Sequence, residues 1–353
     1  MSVSSVSIET DKTSEMKPYQ KMRGHTGPVT GVAHLPDGRR IITCSLDGSL
    51  RLWERKSGAQ IGKDWKDDGD DEGVLTIALS PNGETVASGS RHGMVKFWDI
   101  ETRKVIGKWT GHTSMIWSIC WSGDGGRVVS GCHDGTARVW DVESGETVLS
   151  LIKTGNQQIE AVAFSPDASN FATGGLDVIK IWDAKTGELL STLKQQSSVS
   201  SLVWTSDQKK LLAGYNNGSI TIFNTVTWQQ IAILEDHTNI VEGLSLFHND
   251  RLLASGSYRT ARLWNLDTNL SVGPLIQHQD WVGDTAFSAD GRFLATACHD
   301  HNAYVWDVHV ILREAGLEDL LSLPNVSPHI VSTFRLCYQR VSCRLQQEGQ
   351  YWT

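Results

Sequence analysis

No apolar run in this 353-residue chain approaches the length of a membrane span, and the opening stretch MSVSSVSIETDKTSEM has no apolar core of the kind a secretory leader carries. Cytoplasmic and/or nuclear location is therefore the expectation, with no membrane as partner. Cysteine is sparse: Cys44, Cys120, Cys132, Cys298, Cys337 and Cys343 show no Cys-x-x-Cys pairing, and four of them fall inside strand patterns, where a thiol behaves as a small apolar group. That reads as a reduced, intracellular protein. Basic charge is also in short supply, 32 Lys and Arg against 40 Asp and Glu for a net charge of -8. Phosphate binding needs a clustered basic surface, so nucleic acid is an unexpected partner. Nor is there a metal-ligand spacing, a phosphate-binding glycine loop or a catalytic elbow. The expectation is no cofactor, no metal and no catalytic residue.

What the chain does have is a repeat. The stretch Gly111 to Asp141, GHTSMIWSICWSGDGGRVVSGCHDGTARVWD, ends in an aromatic that recurs as Trp53, Trp98, Trp140, Trp182, Phe223, Trp264 and Trp306, at intervals of 45, 42, 42, 41, 41 and 42 residues. Period, opening Gly-His and closing Trp-Asp together resemble the WD40 repeat family, over about residues 17 to 308.

A period near forty leaves room for four short strands. In the third copy these read as Ile116 to Trp121, Arg127 to Cys132, Thr136 to Asp141 and Thr147 to Ile152, parted by Asp124-Gly125, Asp134-Gly135 and Ser144-Gly145. One such sheet cannot bury both its apolar faces alone, so it stacks on its neighbours. The expected fold is all-β, a seven-bladed β-propeller of four-stranded antiparallel blades, with a short C-terminal helix.

In chain order, residues 1–16 are polar and read as a disordered lead-in. Residues 17–308 form the propeller. Pro18 to Arg23 stands where a fourth strand precedes each later copy, and the resemblance implies that it completes the last blade, removing an exposed edge. The first interval is longest because of the acidic insertion Asp64 to Glu72, which lacks the ligand spacing of a calcium loop and reads as a solvated, flexible loop. Residues 309–322 (HVILREAGLEDLLS) carry a helical apolar face, and residues 323–353 return to no pattern.

The resemblance further implies a buried tetrad of His, Ser or Thr, Asp and Trp in some blades. The matching sets are His25, Thr43, Asp47 and Trp53; His112, Ser130, Asp134 and Trp140; and His278, Thr296, Asp300 and Trp306, with His 28 residues before Trp in each. Carboxylate, imidazole, hydroxyl and indole N–H can then satisfy one another. A hydrolase triad uses similar residue types, but three recurrences and a Trp that catalysis does not need point to structure. Copy six keeps His237, Ser255 and Trp264 but has Tyr258-Arg259 in place of the Asp turn, and copies two, four and five lack the His. Copy five closes with Phe223-Asn224 and is expected to be among the weakest blades.

Register places one further set around a channel mouth: Met115, Trp117, Trp281, Tyr258, Arg259, Arg91, His133, Glu160 and Glu242. Large aromatics there serve no solvated face and suit partner anchors, with Met115, Trp117 and Trp281 expected to approach one another. The leading expectation is a non-enzymatic scaffold or adaptor for proteins or peptides, a monomeric propeller inside larger complexes. The alternatives are a propeller enzyme with a channel-mouth active site, since a fold does not fix a function, and a substrate-receptor subunit.

Overall fold

The computed structural model of the protein describes residues 16–67, 73–155 and 158–322. The readings of residues 1–15 as a lead-in and of 323–353 as a patternless tail lie outside the described residues. Repeats two to five each form a four-stranded antiparallel sheet. In the third repeat the strands are Ile116–Trp121, Arg127–Cys132, Thr136–Asp141 and Thr147–Lys153, the last running one residue beyond the sequence reading. The first repeat forms three strands, Val29–His34, Arg40–Ser45 and Leu50–Glu54.

The fold departs from the expected seven four-stranded blades: among the described residues six sheets form, not seven. The cause lies in the sixth repeat. Without an Asp-Gly turn, Leu252–Asn265 runs through as one strand, and Leu270–Phe287 passes from the sixth repeat into the seventh without a break, Tyr258 pairing with Trp281. Repeats six and seven thereby share one six-stranded sheet, to whose far edge Gln20–Arg23 adds antiparallel against Asn302–Asp307.

Each sheet packs its apolar face on the next, and the sequence makes room for this at the second strand. A Cβ at Gly131 would fall 2.7 Å from Ile159 and Val162 of the following repeat, and one at Gly174 would fall 2.6 Å from Val199. Only glycine lets the next inner strand approach so closely. Side-chain bonds then tie neighbouring inner strands. Thr30 Oγ1 donates to the Val74 carbonyl at 2.9 Å and Ser200 Oγ to that of Val241 at 2.8 Å, while Ser118 Oγ accepts from Val162 N at 3.0 Å. Across the seam between first and last repeats, Asp284 Oδ2 accepts from Val32 N at 3.0 Å. Apolar packing closes the same seam, where Met22, Val29, Ile41 and Trp53 meet Phe293, Ala297 and Val305.

At the start of the acidic insertion, Trp65 and Asp67 are not solvated as its charge run suggests. Trp65 is buried at 2% exposure and pairs with Leu50 through backbone bonds of 2.8 and 3.1 Å, while Asp67 lies 3.1 Å from Lys96 and 2.6 Å from Lys108. The indole supplies apolar area and the carboxylate neutralises two cations, so this edge of the first sheet is anchored; residues 68–72 lie outside the described residues. At the other end, Asp307 caps the helix Val308–Glu314 by accepting from Val310 N, and Val308, Ile311 and Leu312 are buried. The helix stops well short of residue 322 because Gly316 takes φ +70 and Leu317 N bonds back to the Leu312 carbonyl, a glycine stop signal. A 3-10 turn, Glu318–Leu321, follows.

Met22 is 1% exposed within the closing cluster, so Met22→Ala is expected to destabilise by about 2–5 kcal/mol. Exposed Lys17→Ala should change stability by no more than about 0.5 kcal/mol. Denaturant titration checks both; equal midpoints would show that the edge strand does not hold the ring shut.

Candidate functional site

The hydroxyl-centred sets are interior. In the first repeat His25 Nδ1 meets Asp47 Oδ2 at 2.8 Å, His25 Nε2 meets Thr43 Oγ1 at 2.8 Å, and Trp53 Nε1 donates to Thr43 Oγ1 at 2.8 Å. The third repeat repeats the scheme: His112 lies 3.3 Å from Asp134 and 2.8 Å from Ser130, and Trp140 donates to Ser130 at 2.8 Å. Burial lowers the His25 pKa, and that of His112 to about 4, so both rings are neutral; Nδ1–H then faces the carboxylate and Nε2 accepts from the hydroxyl. Thr43 and Ser130 are fully buried, so no substrate reaches them as nucleophiles.

The seventh set is incomplete. His278 bonds Thr296 at 2.8 Å and Trp306 donates to Thr296 at 3.1 Å, but Asp300 is taken by the Tyr304 hydroxyl, and among the described residues no carboxylate bonds His278 Nδ1. Copies one and three carry Arg51 and Arg138 at the place of Tyr304, and no arginine donates a hydroxyl proton to the turn. In the sixth repeat His237 and Trp264 share Ser255, and Thr260 at 3.2 Å from His237 Nδ1 replaces the missing carboxylate.

One group has metal-ligand proximity: ligand atoms of His112, Cys132 and Asp134 lie within 4.8 Å of one another. The chemistry argues for hydrogen bonding instead. Cys132 Sγ donates to the Ser114 carbonyl and accepts from Asp134 N, as Ser45 Oγ does with Gly27 and Asp47 in the first repeat. Burial pushes its thiol up to about 11, so it is protonated at neutral pH and serves as the donor that the bond to Ser114 requires.

At the channel mouth, backbone bonds fix the register by tying each turn to the segment entering an inner strand: His133 N to the Met115 carbonyl, His299 N to that of Trp281 and Arg91 N to that of Gly73. Two separate aromatic pairs result. Trp117, 39% exposed, stacks on His133 with centroids 5.0 Å apart, and Tyr258, 37% exposed, lies 4.9 Å from Trp281 with the Arg259 guanidinium 5.1 Å over the Tyr258 ring. Arg259 holds φ +58 in place of the usual turn. Among the described residues no ring contact joins the two pairs, Trp281 meeting Tyr258 through the strand that unites repeats six and seven.

Between the inner strands opens a cavity of about 400 Å³ whose lining includes Trp117, Glu160, Glu242, Asp284, Gly283 and His299. Met115, Arg91, His133, Trp281, Tyr258 and Arg259 stand outside that lining. Burial, and then the charge of Glu160, raises Glu242 to about 7; burial alone raises Glu160. Asp284 is also pushed up to about 7 by burial, against the two backbone N–H groups it accepts from. Sequence reasoning missed Asp284, although a signal existed: the same inner-strand position holds Gly31, Thr76, Ser118, Ala161, Ser201 and Gly243 elsewhere, all small.

Comparison with known proteins comes next to this geometry. The family described as IFT122 first beta-propeller matches residues 65–307, and that described as WD domain, G-beta repeat matches residues 16–54. A WD repeat-containing protein 55 of Arabidopsis thaliana is 23% identical over 311 residues, 87% of this chain and 75% of that protein. The Arabidopsis thaliana protein named cell division cycle 20.1, cofactor of APC complex, is 27% identical over 270 residues, 73% of this chain and 58% of the relative. A guanine nucleotide-binding protein subunit beta of Oryza sativa subsp. japonica is 24% identical over 283 residues, 74% and 63% respectively. The chain thus spans less than two thirds of the latter two.

Two outcomes follow from the geometry. Asp134 accepts from Thr113 N at 2.9 Å and from the Thr136 amide and hydroxyl at 2.9 and 2.5 Å; burial opposes ionisation, but these bonds bring its pKa down to about 2. Its contribution is present above the ordinary value and is lost as pH falls through about 2, so Asp134→Ala is expected to cost about 1–3 kcal/mol at neutral pH by urea titration, and a silent variant contradicts the buried turn. Glu242 and Asp284 run the other way. Their raised values give stability that is full below the ordinary carboxylate range and declines as pH climbs through about 7, so melting temperature should fall from acid to neutral pH, and the pair Glu242→Gln with Asp284→Asn should flatten that fall. An unchanged slope would place both carboxylates in open water.

Proposed function

The chain belongs to the WD40-repeat β-propeller family, and on that premise we propose that it is a non-enzymatic scaffold or adaptor that binds a protein or peptide through its channel-mouth face. The observation that carries this reading is the Tyr258–Trp281 pair with Arg259 over it. The sixth repeat gives up its Asp turn there, accepts a positive φ at a non-glycine residue and leaves a large aromatic in water. Strained backbone held beside exposed aromatics is typical of binding sites, where such side chains act as anchors.

Trp117 on His133 supplies a second anchor, and Met115, Arg91, Glu160 and Glu242 supply a mixed rim. This suits a peptide or protein surface with apolar anchors and a few charges. The relatives named as a cofactor of the APC complex and as a G-protein β subunit support a role within assemblies. Against a hydrolase-like reading of the tetrads stand their buried hydroxyls, which bonds to indole and imidazole keep from any substrate.

Because Trp117 and Tyr258 are more than a third exposed, Trp117→Ala with Tyr258→Ala is expected to shift stability by no more than about 0.5 kcal/mol per site. Capture from native lysate, read by mass spectrometry, should lose its main partner with this pair and keep it with Arg39→Ala on the opposite turns. Retention of every partner by the folded double variant would move the interface elsewhere.

A further inference from the structure

Besides Asp284, whose carboxylate accepts from two backbone N–H groups, the channel mouth holds two carboxylates for which the described residues supply neither counterion nor hydrogen bond. Glu160 and Glu242 follow the first apolar residue of their inner strands, where other repeats place Thr30, Leu75, Trp117, Ser200 and Gly283. Thr30 and Ser200 spend their hydroxyls on the next strand's carbonyl, but neither glutamate side chain makes a hydrogen bond or ion pair among the described residues. Both line the same cavity, half-buried. At its wall three polar atoms crowd Gly283, where a Cβ would lie 3.2 Å from His299 Nε2 and 3.5 Å from both Glu242 Oε2 and the Thr30 carbonyl, so this part of the wall is backbone and polar. His299 is no counterion, because burial lowers its pKa and leaves it neutral. Arg91 and Arg259 belong to the rim outside the lining.

Two like charges facing one partly dried cavity repel, and an added cation removes that repulsion. The rest of the wall decides what kind of cation fits. Trp117 presents an exposed indole backed by His133, and Leu46 and Leu75 add aliphatic surface, so one side of the cavity is apolar and the far side is acidic. A hydrated metal ion has no use for an indole wall. A lysine or arginine side chain matches both parts, its stem lying on apolar surface and its charged head reaching carboxylates.

We propose that the partner segment bound at this face inserts one basic side chain into the channel, its stem against Trp117 and its head between Glu160 and Glu242. This inference rests on the adaptor reading above and names the chemistry of its ligand. The aromatic pair at Tyr258 then holds the flanking residues of the segment, and the cavity selects for positive charge.

The test uses the full chain and four capped pentapeptides, Gly-Ser-X-Ser-Gly, with X arginine, lysine, citrulline or glutamate. Calorimetry should show saturable millimolar binding of the arginine or lysine peptide, at least about tenfold weaker binding of neutral citrulline, and none of glutamate. At about pH 7 binding should release protons, seen as a heat that depends on buffer ionisation, because the cation favours the ionised glutamates. Glu160→Gln with Glu242→Gln should abolish the preference for arginine over citrulline. Equal binding of arginine and citrulline, no saturation up to about 10 mM basic peptide, or stabilisation by calcium in place of the peptides would overturn the proposal. Should the Gln pair fail to fold, the citrulline comparison on the unaltered chain decides. Loss of the lysate partner with Trp117→Ala and Tyr258→Ala, but full retention with the Gln pair, would sink this inference and leave the adaptor reading standing.

Discussion

The structure depends on a buried hydrogen bond from the closing indole of a repeat to a hydroxyl on its second strand. It links Trp53 to Thr43, Trp98 to Ser88, Trp140 to Ser130, Trp182 to Thr173, Trp264 to Ser255 and Trp306 to Thr296, at 2.8 to 3.1 Å. Each bond satisfies a donor that would otherwise be buried alone, and it fixes the second and third strands against each other at the place where the next sheet must pack. An unmet buried donor costs more than a typical bond contributes, so the two residues behave as a unit.

The fifth repeat makes the same point by departing from it. Phe223 stands in place of the indole and Ala213 in place of the hydroxyl, so donor and acceptor have gone together. Phe223 is 4% exposed and packs with Leu211, Ala213 and Tyr215, leaving no polar orphan at that position. Replacing both partners by apolar groups is close to neutral, which removes the reason to rank this repeat among the weakest. The histidine and aspartate of repeats one and three extend the pair into a network, whereas repeats two and four keep the indole bond without them. The indole–hydroxyl pair is thus the common denominator of the fold, and the imidazole an addition to it.

Much of this was legible in the sequence, because period-two apolar patterns between Asp-Gly turns locate strands with little ambiguity. The third repeat shows it, with strands read to within one residue. What could not be read was long-range. Tyr258-Arg259 looked like a turn variant, yet the chain continues past the left-handed Arg259 as strand, and the pairing of Tyr258 with Trp281 merges two repeats into one sheet, a result that depends on a strand beginning at Leu270. Trp65 and Asp67 were hidden in a charge run whose partners, Leu50, Lys96 and Lys108, come from three other strands. At the candidate site, register alone placed Trp117, Glu160 and Glu242 around one cavity, but neither the pairing of Trp117 with His133 nor the presence of Asp284 followed from it.

The division of labour that emerges is between an interior whose indole–hydroxyl pairs satisfy one another and one face that presents two carboxylates and half-exposed aromatic pairs. Hydrogen exchange of the chain with and without its captured partner tests that division most directly. The account predicts added protection at amides around 113–118, 256–260 and 281–284 and none at the opposite turns around 36–39 and 81–84. Protection confined to those opposite turns, or to the outer strands, would contradict it.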